Sequence, residues 1–237
     1  TVVQLADLEA RHAQLTASVA ALDSAEVTPE LQSFLQRLSG LLADAARAAR
    51  LAKGDLVAGL VGEFPGLQGI VGSHCARAQG ERAEVAAAIA EHYSPRGADD
   101  ICPSAPVSMA VALADKIDLL VGFFAIGQQP TGSKDPFALR RAALGILRIL
   151  VDNEQHLNLK DYLPDALMHF QQQGRFADLD PDRVADNVLA FLGDRLKVHL
   201  RERGVRHDLI AAVFATGDDD VVRILKRVEA LDRLIST

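Results

Sequence analysis

An all-α fold is predicted by three features of this sequence. Apolar residues recur three and four positions apart along nearly the whole chain, alternating β-branched runs are absent, and helix-start and helix-stop residues punctuate the periodic segments. Leu5, Leu8, Leu15, Val19 and Leu22 mark one face of a first helix. Thr28 and Pro29 open a second, whose apolar side carries Leu31, Phe34, Leu35, Leu38, Leu41 and Leu42. A third helix, around 55–64, is stopped by Pro65 and Gly66, after which Leu67, Ile70 and Val71 begin another. Val85 and Ile89 line a short Ala-rich helix ending near His92, and a proline-rich loop follows over 94–106.

The segment 107–126 is apolar nearly all round, with Val107, Val111, Leu113, Ile117, Leu120, Val121 and Phe124, and is expected to be the central buried helix. A loop then leads into a helix expected over 136–151. Residues 158–173 read as a connecting helix and the QQQG at 171–174 as a joint. Asp180 and Pro181 start a long helix reaching Arg203, stopped by Gly204. Two shorter helices follow, one over 208–215 and one from Asp218 through Leu225, Val228, Leu231 and Leu234.

With 237 residues and 49% hydrophobic content, the chain is large enough for one big or two small cores. No run of about 18 apolar residues is present, and the start lacks the layout of a signal peptide, so a cytoplasmic protein is expected, with no membrane partner. Cys75 and Cys102 lack the spacing of a zinc ribbon or a disulfide framework. The chain begins at Thr1 and stops inside a helical pattern at Thr237, which makes it an expected piece of a longer polypeptide. Its net charge of −7 excludes attraction to nucleic acid by bulk charge, so any RNA contact must be local.

Two local basic sites stand out. In TGSKDPFALRRAALG at 131–145, Asp135 is expected to cap a new helix with Pro136 at its first position, and Phe137, Leu139, Ala142, Ala143, Ile146 and Leu147 on the buried side. Thr131 to Lys134 then form a flexible, donor-rich loop beside a helix N-terminus, where a phosphate is well received. The spacing is not that of a Walker loop. Lys134, Arg140 and Arg141 are the candidate phosphate contacts, with salt bridges to an acidic surface as the alternative. In the second site, DRLKVHLRERGVRHDL at 194–209, Arg195, Lys197, Arg201, Arg203 and Arg206 face Glu202 alone between Arg195 and His207. Such a run is commonly a solvated face, yet its contrast with the overall charge and its apolar backing by Val198 and Leu200 suit an RNA backbone.

Beyond these physical signals, GEFPGLQGIVG at 62–72, EHYSPRGADD at 91–100 and the stretch 112–150, with TGSKDPFALRRAALG inside it, resemble the bacterial glycyl-tRNA synthetase β subunit. The resemblance is dense from Leu51 to Leu150 and thins towards both ends. It implies an HD-like helical domain over 1–158, and over 159–237 a connecting helix and the start of an anticodon-binding-like helical domain. It also implies a hetero-oligomer in which an α subunit holds the active site and uses ATP and magnesium, while this chain contacts the α subunit and glycine tRNA. On that reading Arg195, Lys197, Arg201 and Arg203 join Lys134, Arg140 and Arg141 as tRNA-binding candidates. No catalytic, metal-binding or cofactor-binding residue is assigned to this chain.

Two other functions compete. One is an HD-type metal-dependent nucleotide phosphohydrolase using Asp55, His74 and Asp115, which Gly54 opposes because the HD pattern requires a histidine before the aspartate. Asp55 and Asp115 are therefore expected as caps or as partners of Lys53, Lys116 or arginines, and His74 as a semi-buried histidine on the apolar side of its helix. The other is a scaffold that binds only protein. The glycines of GEFPGLQG are expected to serve close packing at a tight corner.

Overall fold

The computed structural model describes Ala17 and residues 29–97, 99–202, 204–214 and 217–236; the first predicted helix, Ala17 apart, lies outside these. Among the described residues the secondary structure is helical, with no strand beyond one isolated bridge between Thr131 and Lys134. The helices are α1 (Pro29–Leu51), α2 (Gly59–Glu63), α3 (Ile70–Ala78), α4 (Ala83–Glu91), α5 (Pro106–Ala125), α6 (Leu139–Asp152), α7 (Leu159–Gln172), α8 (Pro181–Glu202), α9 (His207–Phe214) and α10 (Val221–Ser236). Packing divides the chain into two compact units, one of residues 1–94 and 103–115, the other of 95–102 and 116–237. The partition at 158/159 implied by the resemblance concerns kinship of the domains, which packing does not decide.

In the first unit, α4 packs on both α1 and α3. The core there is built from small residues, with Ala45, Ala48 and Ala52 of α1 against Ala76, Val85, Ala86, Ala88 and Ile89, closed by Val107 and Val111 of α5. Short side chains let these helices approach closely, so the buried face of α1 is its alanine face near the C-terminal end. The leucine-rich stripe that the sequence singles out is partly open to solvent: Phe34 and Leu41 are exposed, and Leu35, Leu38 and Leu42 are half-buried. The corner before α3 is tight at Gly69, whose φ of 83° strains any other residue and whose added Cβ would crowd the carbonyls of Ile89 and Ala90 at 3.1 and 3.2 Å. Gly72 is similarly crowded by Ile89 and Asp55, whereas Gly62 and Gly66 face open space. Within GEFPGLQG only Gly69 therefore serves close packing as the sequence suggests, and Gly72 just after it does the same.

In the second unit α7 and α8 pair, α6 lies against α8, and α10 packs on α9 and α6. Leu139, Ala142, Ala143, Ile146, Leu147, Ile149 and Leu150 bury one whole face of α6, while Val184, Val188, Leu192, Leu196 and Leu200 do the same for α8. The expected burial of 107–126 is found at Val107, Val111, Ile117, Leu120, Val121 and Phe124, with Leu113 half-buried. Gly145 is dictated by space, since a Cβ there would lie 2.7 Å from the Lys116 side chain.

Candidate nucleic-acid interface

The first basic site is a closed turn rather than the flexible loop its composition suggests. The Thr131 N–H donates to the Lys134 carbonyl at 3.1 Å and the Lys134 N–H returns the bond to Thr131 at 2.9 Å. Gly132, at φ 52°, provides the left-handed step. Arg140 Nη2 then donates to the Gly132 carbonyl at 2.6 Å, tying the turn to the helix that follows. A stacked pair of rings, Phe123 on Phe137 with centroids 4.1 Å apart, fixes the same segment to α5.

Helix α6 begins at Leu139, three residues later than expected, with Pro136 outside it. Asp135 still performs the capping: Oδ1 accepts from Leu139 N–H at 2.8 Å and Oδ2 from Arg140 N–H at 3.0 Å. The reach is possible because 136–138 make a turn that ends in Ala138 at φ 55°. These contacts give the anion seat at the helix start to the chain's own carboxylate. Lys134 and Arg141 are exposed and form no ion pair among the described residues, so their charges remain available to an external anion. Arg140 is half-buried and engaged with its turn.

Along α8 the basic residues fall into distinct environments. Arg195 is half-buried, its guanidinium 5.9 Å from the Phe191 ring centroid, and its Nε is buried without a hydrogen-bond partner among the described residues. Lys197 pairs with Asp194 at 3.1 Å. Arg201, one turn beyond Lys197, is exposed and has no acidic partner among the described residues. Arg203 lies outside the described residues. Arg206 is held by both oxygens of Asp208, at 3.1 and 2.6 Å, just before α9. Val198 is half-buried and Leu200 buried, so the apolar backing predicted for this run is present.

Close to Lys197 is a cavity of about 310 Å³ with Leu147, Leu192, Leu196 and Ile224 on its apolar wall and Lys160, Asp218 and Asp219 among its polar groups. The aspartates belong to a cluster that sequence reading missed. Asp219 Oδ2 accepts from Lys160 N–H at 3.0 Å, at the start of α7. Asp220 is buried: Oδ1 accepts from Arg223 N–H at 3.0 Å, at the start of α10, and Oδ2 lies 2.8 Å from His156 Nδ1. Burial pushes the Asp220 carboxyl up, but the bonds from Arg223 N–H and His156 and the nearby positive charge outweigh it and leave it below its usual value. Asp218 receives Arg223 and Arg227 at 2.6 and 2.7 Å, and the hydrogen bond from Arg223 above all pulls it down to about 2. The available signal was local: arginines five and nine residues after Asp218, and aspartates just ahead of an apolar periodic run.

A second unread element is Arg148, which donates to the carbonyls of Gly97 and Asp100, both at 2.8 Å, and meets Asp152 at 3.3 Å. It fastens the proline-rich loop to α6. Beside it the Cys102 thiol is pushed up to about 12, by burial first and then by the hydrogen bond to Asp152, which disfavours its thiolate form.

The residues of the phosphohydrolase alternative have other partners. Asp55 is buried, and its Oδ2 accepts from Gly69 N–H at 2.7 Å and Gly72 N–H at 3.0 Å, capping α3. Asp115 pairs with Lys53 at 2.9 Å, and the Lys53 ammonium also lies 4.0 Å from the Tyr93 ring centroid. His74 is exposed, not semi-buried: the buried positions of α3 are Ser73 and Ala76, so the helix is turned away from the side that Ile70 and Val71 suggested. Among the described residues no three His, Cys, Asp or Glu side chains gather as a metal site would require. This donor set does not fit a catalytic metal.

Among the described residues the chain is all-α, with charged side chains that cap helices, pair with one another or stand exposed on helix surfaces. Residues 5–215 match the family model described as glycyl-tRNA synthetase beta subunit. The chain is 50% identical over 208 residues to the glycine–tRNA ligase beta subunit of Phenylobacterium zucineum, covering 88% of this chain and 28% of the relative. It is 52% identical over 204 residues to that of Rhodospirillum centenum, covering 84% and 27%, and 52% identical over 202 residues to that of Paracoccus denitrificans, covering 84% and 28%. The chain belongs to the glycyl-tRNA synthetase beta subunit family. It spans little more than a quarter of the length of these curated relatives.

Proposed function

We propose that this chain is a tRNA- and subunit-binding part of a cytoplasmic glycine–tRNA ligase, supporting ATP-dependent glycyl-tRNA synthesis carried out on a separate α subunit. The reading is carried by the family match, which covers residues 5–215 and so includes both basic sites. The geometry adds a division of labour. Lys134, Arg141 and Arg201, exposed and without an acidic partner among the described residues, present their cations to tRNA phosphates. Lys197 shares its charge with Asp194, while Arg140 and Arg195 shape the surface through Gly132 and Phe191. Arg203 belongs to the same candidate set by sequence. ATP and magnesium are assigned to the α subunit, and this chain by itself is expected to be inactive.

The test is parallel binding of the chain, and of the complete β subunit, to purified α subunit and to glycine tRNA. Binding of both by the complete subunit, without glycine-dependent pyrophosphate exchange by the chain alone, supports the reading. Binding of α without any tRNA affinity would return the chain to a protein-only scaffold.

A further inference from the structure

The turn that carries Lys134 also carries an aromatic ring that the cations alone leave unused. Phe137 is 40% exposed. One side of its ring lies on Phe123, with centroids 4.1 Å apart and planes 25° from parallel, so the exposed part is the side away from Phe123. The Gln128 N–H donates to the Phe123 carbonyl at 2.9 Å, which sets the exposed Gln128 and Gln129, with amides able to donate and accept, at the same end of α5. The ring is held in place. Pro136 precedes it, Phe123 backs it, and Arg140 Nη2 ties the turn to α6 through the Gly132 carbonyl at 2.6 Å. A platform fixed in this way loses little freedom when a ligand covers it.

We propose that Phe137 is a stacking platform for an unpaired nucleotide of the tRNA, with Lys134 and Arg141 as the cations for the adjoining phosphates. The inference rests on the reading above that these two cations meet tRNA. Charge selects the ligand. Between Asp118 and Asp152 the one acidic residue is Asp135, whose two oxygens are taken by the amides of Leu139 and Arg140, while Lys134 and Arg141 are exposed. Tyr162, the other exposed large aromatic described in the second unit, stands between Asp161 and Asp165, whose charges repel a phosphate. An aromatic face beside cations is the pairing that single-stranded RNA requires, since each nucleotide brings a flat base and a phosphate together. Bases inside an A-form helix already stack on their neighbours, so a protein ring takes only those that are unpaired.

The experiment uses complete β subunit with α present and compares glycine tRNA binding, over a range of salt, for the parent, Phe137→Leu, Phe137→Trp and, as a control, Tyr162→Leu. Leucine still packs on Phe123 but offers no aromatic face, and melting curves check the fold of each variant. Phe137→Leu should bind tRNA about fivefold more weakly or worse, the scale of one lost base stack, with α affinity and the Tyr162→Leu control unchanged. Its slope of log K against log salt should match the parent, because the ring carries no charge. Phe137→Trp should bind as the parent or tighter, and its added indole emission should be quenched by bound tRNA. Parent-like tRNA affinity in Phe137→Leu overturns the proposal, as does indole emission indifferent to bound tRNA, a measurement that stands even where the leucine variant fails to fold. A flattened slope would show that the substitution acts through the cations, and a loss of α affinity would make the ring a protein contact; either result overturns the platform. If the parent binds no glycine tRNA, the functional reading falls and the platform with it, whereas failure at Phe137 alone leaves that reading intact.

Discussion

Asp135 accepts the backbone N–H of Leu139 at 2.8 Å, and its second oxygen takes the N–H of Arg140, so a carboxylate four residues upstream fills the positive end of α6. The arrangement decides how the basic turn meets an anion. With the helix terminus already satisfied, the available charges are those of the side chains Lys134 and Arg141.

Asp135→Ala should destabilise the protein by about 0.5–2 kcal/mol, the usual cost of removing an N-terminal cap. The same variant should gain more stability from added sulfate than the parent does, since the vacated amides then attract an external anion. Urea unfolding with and without sulfate checks both. Equal sulfate responses would show that the seat is closed by something other than Asp135.

Gly69 and Gly66 should respond oppositely to the same change. Gly69→Ala places a Cβ at φ 83° against two backbone carbonyls at 3.1 and 3.2 Å, and strain of this kind costs about 1–3 kcal/mol. Gly66→Ala meets open space and should stay within about 0.5 kcal/mol of the parent. Chemical denaturation of the two variants side by side measures the difference, and similar destabilisation of both would refute the tight corner.

Asp218 gives the fold an acid-sensitive ion pair. Its folded carboxyl is pulled from 3.8 down to about 2, so its stabilising contribution is full above about pH 4 and disappears as pH falls from there through about 2. The parent should therefore weaken over that window more steeply than Asp218→Asn, which has no proton to gain. Denaturation midpoints at pH 5, 4, 3 and 2 follow this, and parallel slopes would contradict the Arg223 and Arg227 pairing.

The helical architecture was legible in the sequence because α5 is a segment apolar nearly all round and because amphipathic periodicity survives in α6 and α8, where one face is buried throughout, and in α10 as far as Val228, beyond which Leu234 is exposed. It misled at α1, where the leucines are partly exposed and the alanines form the core: small residues carry little hydrophobic signal, yet they allow closer helix packing. The start of α6 falls later than its cap suggests because a capping aspartate is recognisable by type, while the turn between Asp135 and Leu139 depends on Ala138 adopting a left-handed conformation that alanine rarely takes. His74 illustrates a limit of short helices, in which two apolar neighbours do not fix the buried side. For the basic candidates, residue types were readable and their partners were not. Asp194 beside Lys197 was visible at i, i+3, whereas the Gly132 carbonyl under Arg140 required the turn to be known. His156 meets Asp220 across 64 positions of sequence, a distance over which residue patterns carry no pairing information.

The central claim, that α8 offers its basic face to the tRNA backbone, is tested most directly by the salt dependence of glycine tRNA binding to complete β subunit in the presence of α, comparing the parent with Arg201→Glu. Removing one phosphate interaction should reduce the slope of log K against log salt by roughly 0.7 to 0.9. Arg201→Glu should bind more weakly and with a slope smaller by about that amount, while the melting point stays the same because the side chain is exposed and without an acidic partner among the described residues. An affinity and a slope indistinguishable from the parent, repeated in the Lys197→Glu and Arg201→Glu double variant, would contradict the account and leave α8 a solvated face.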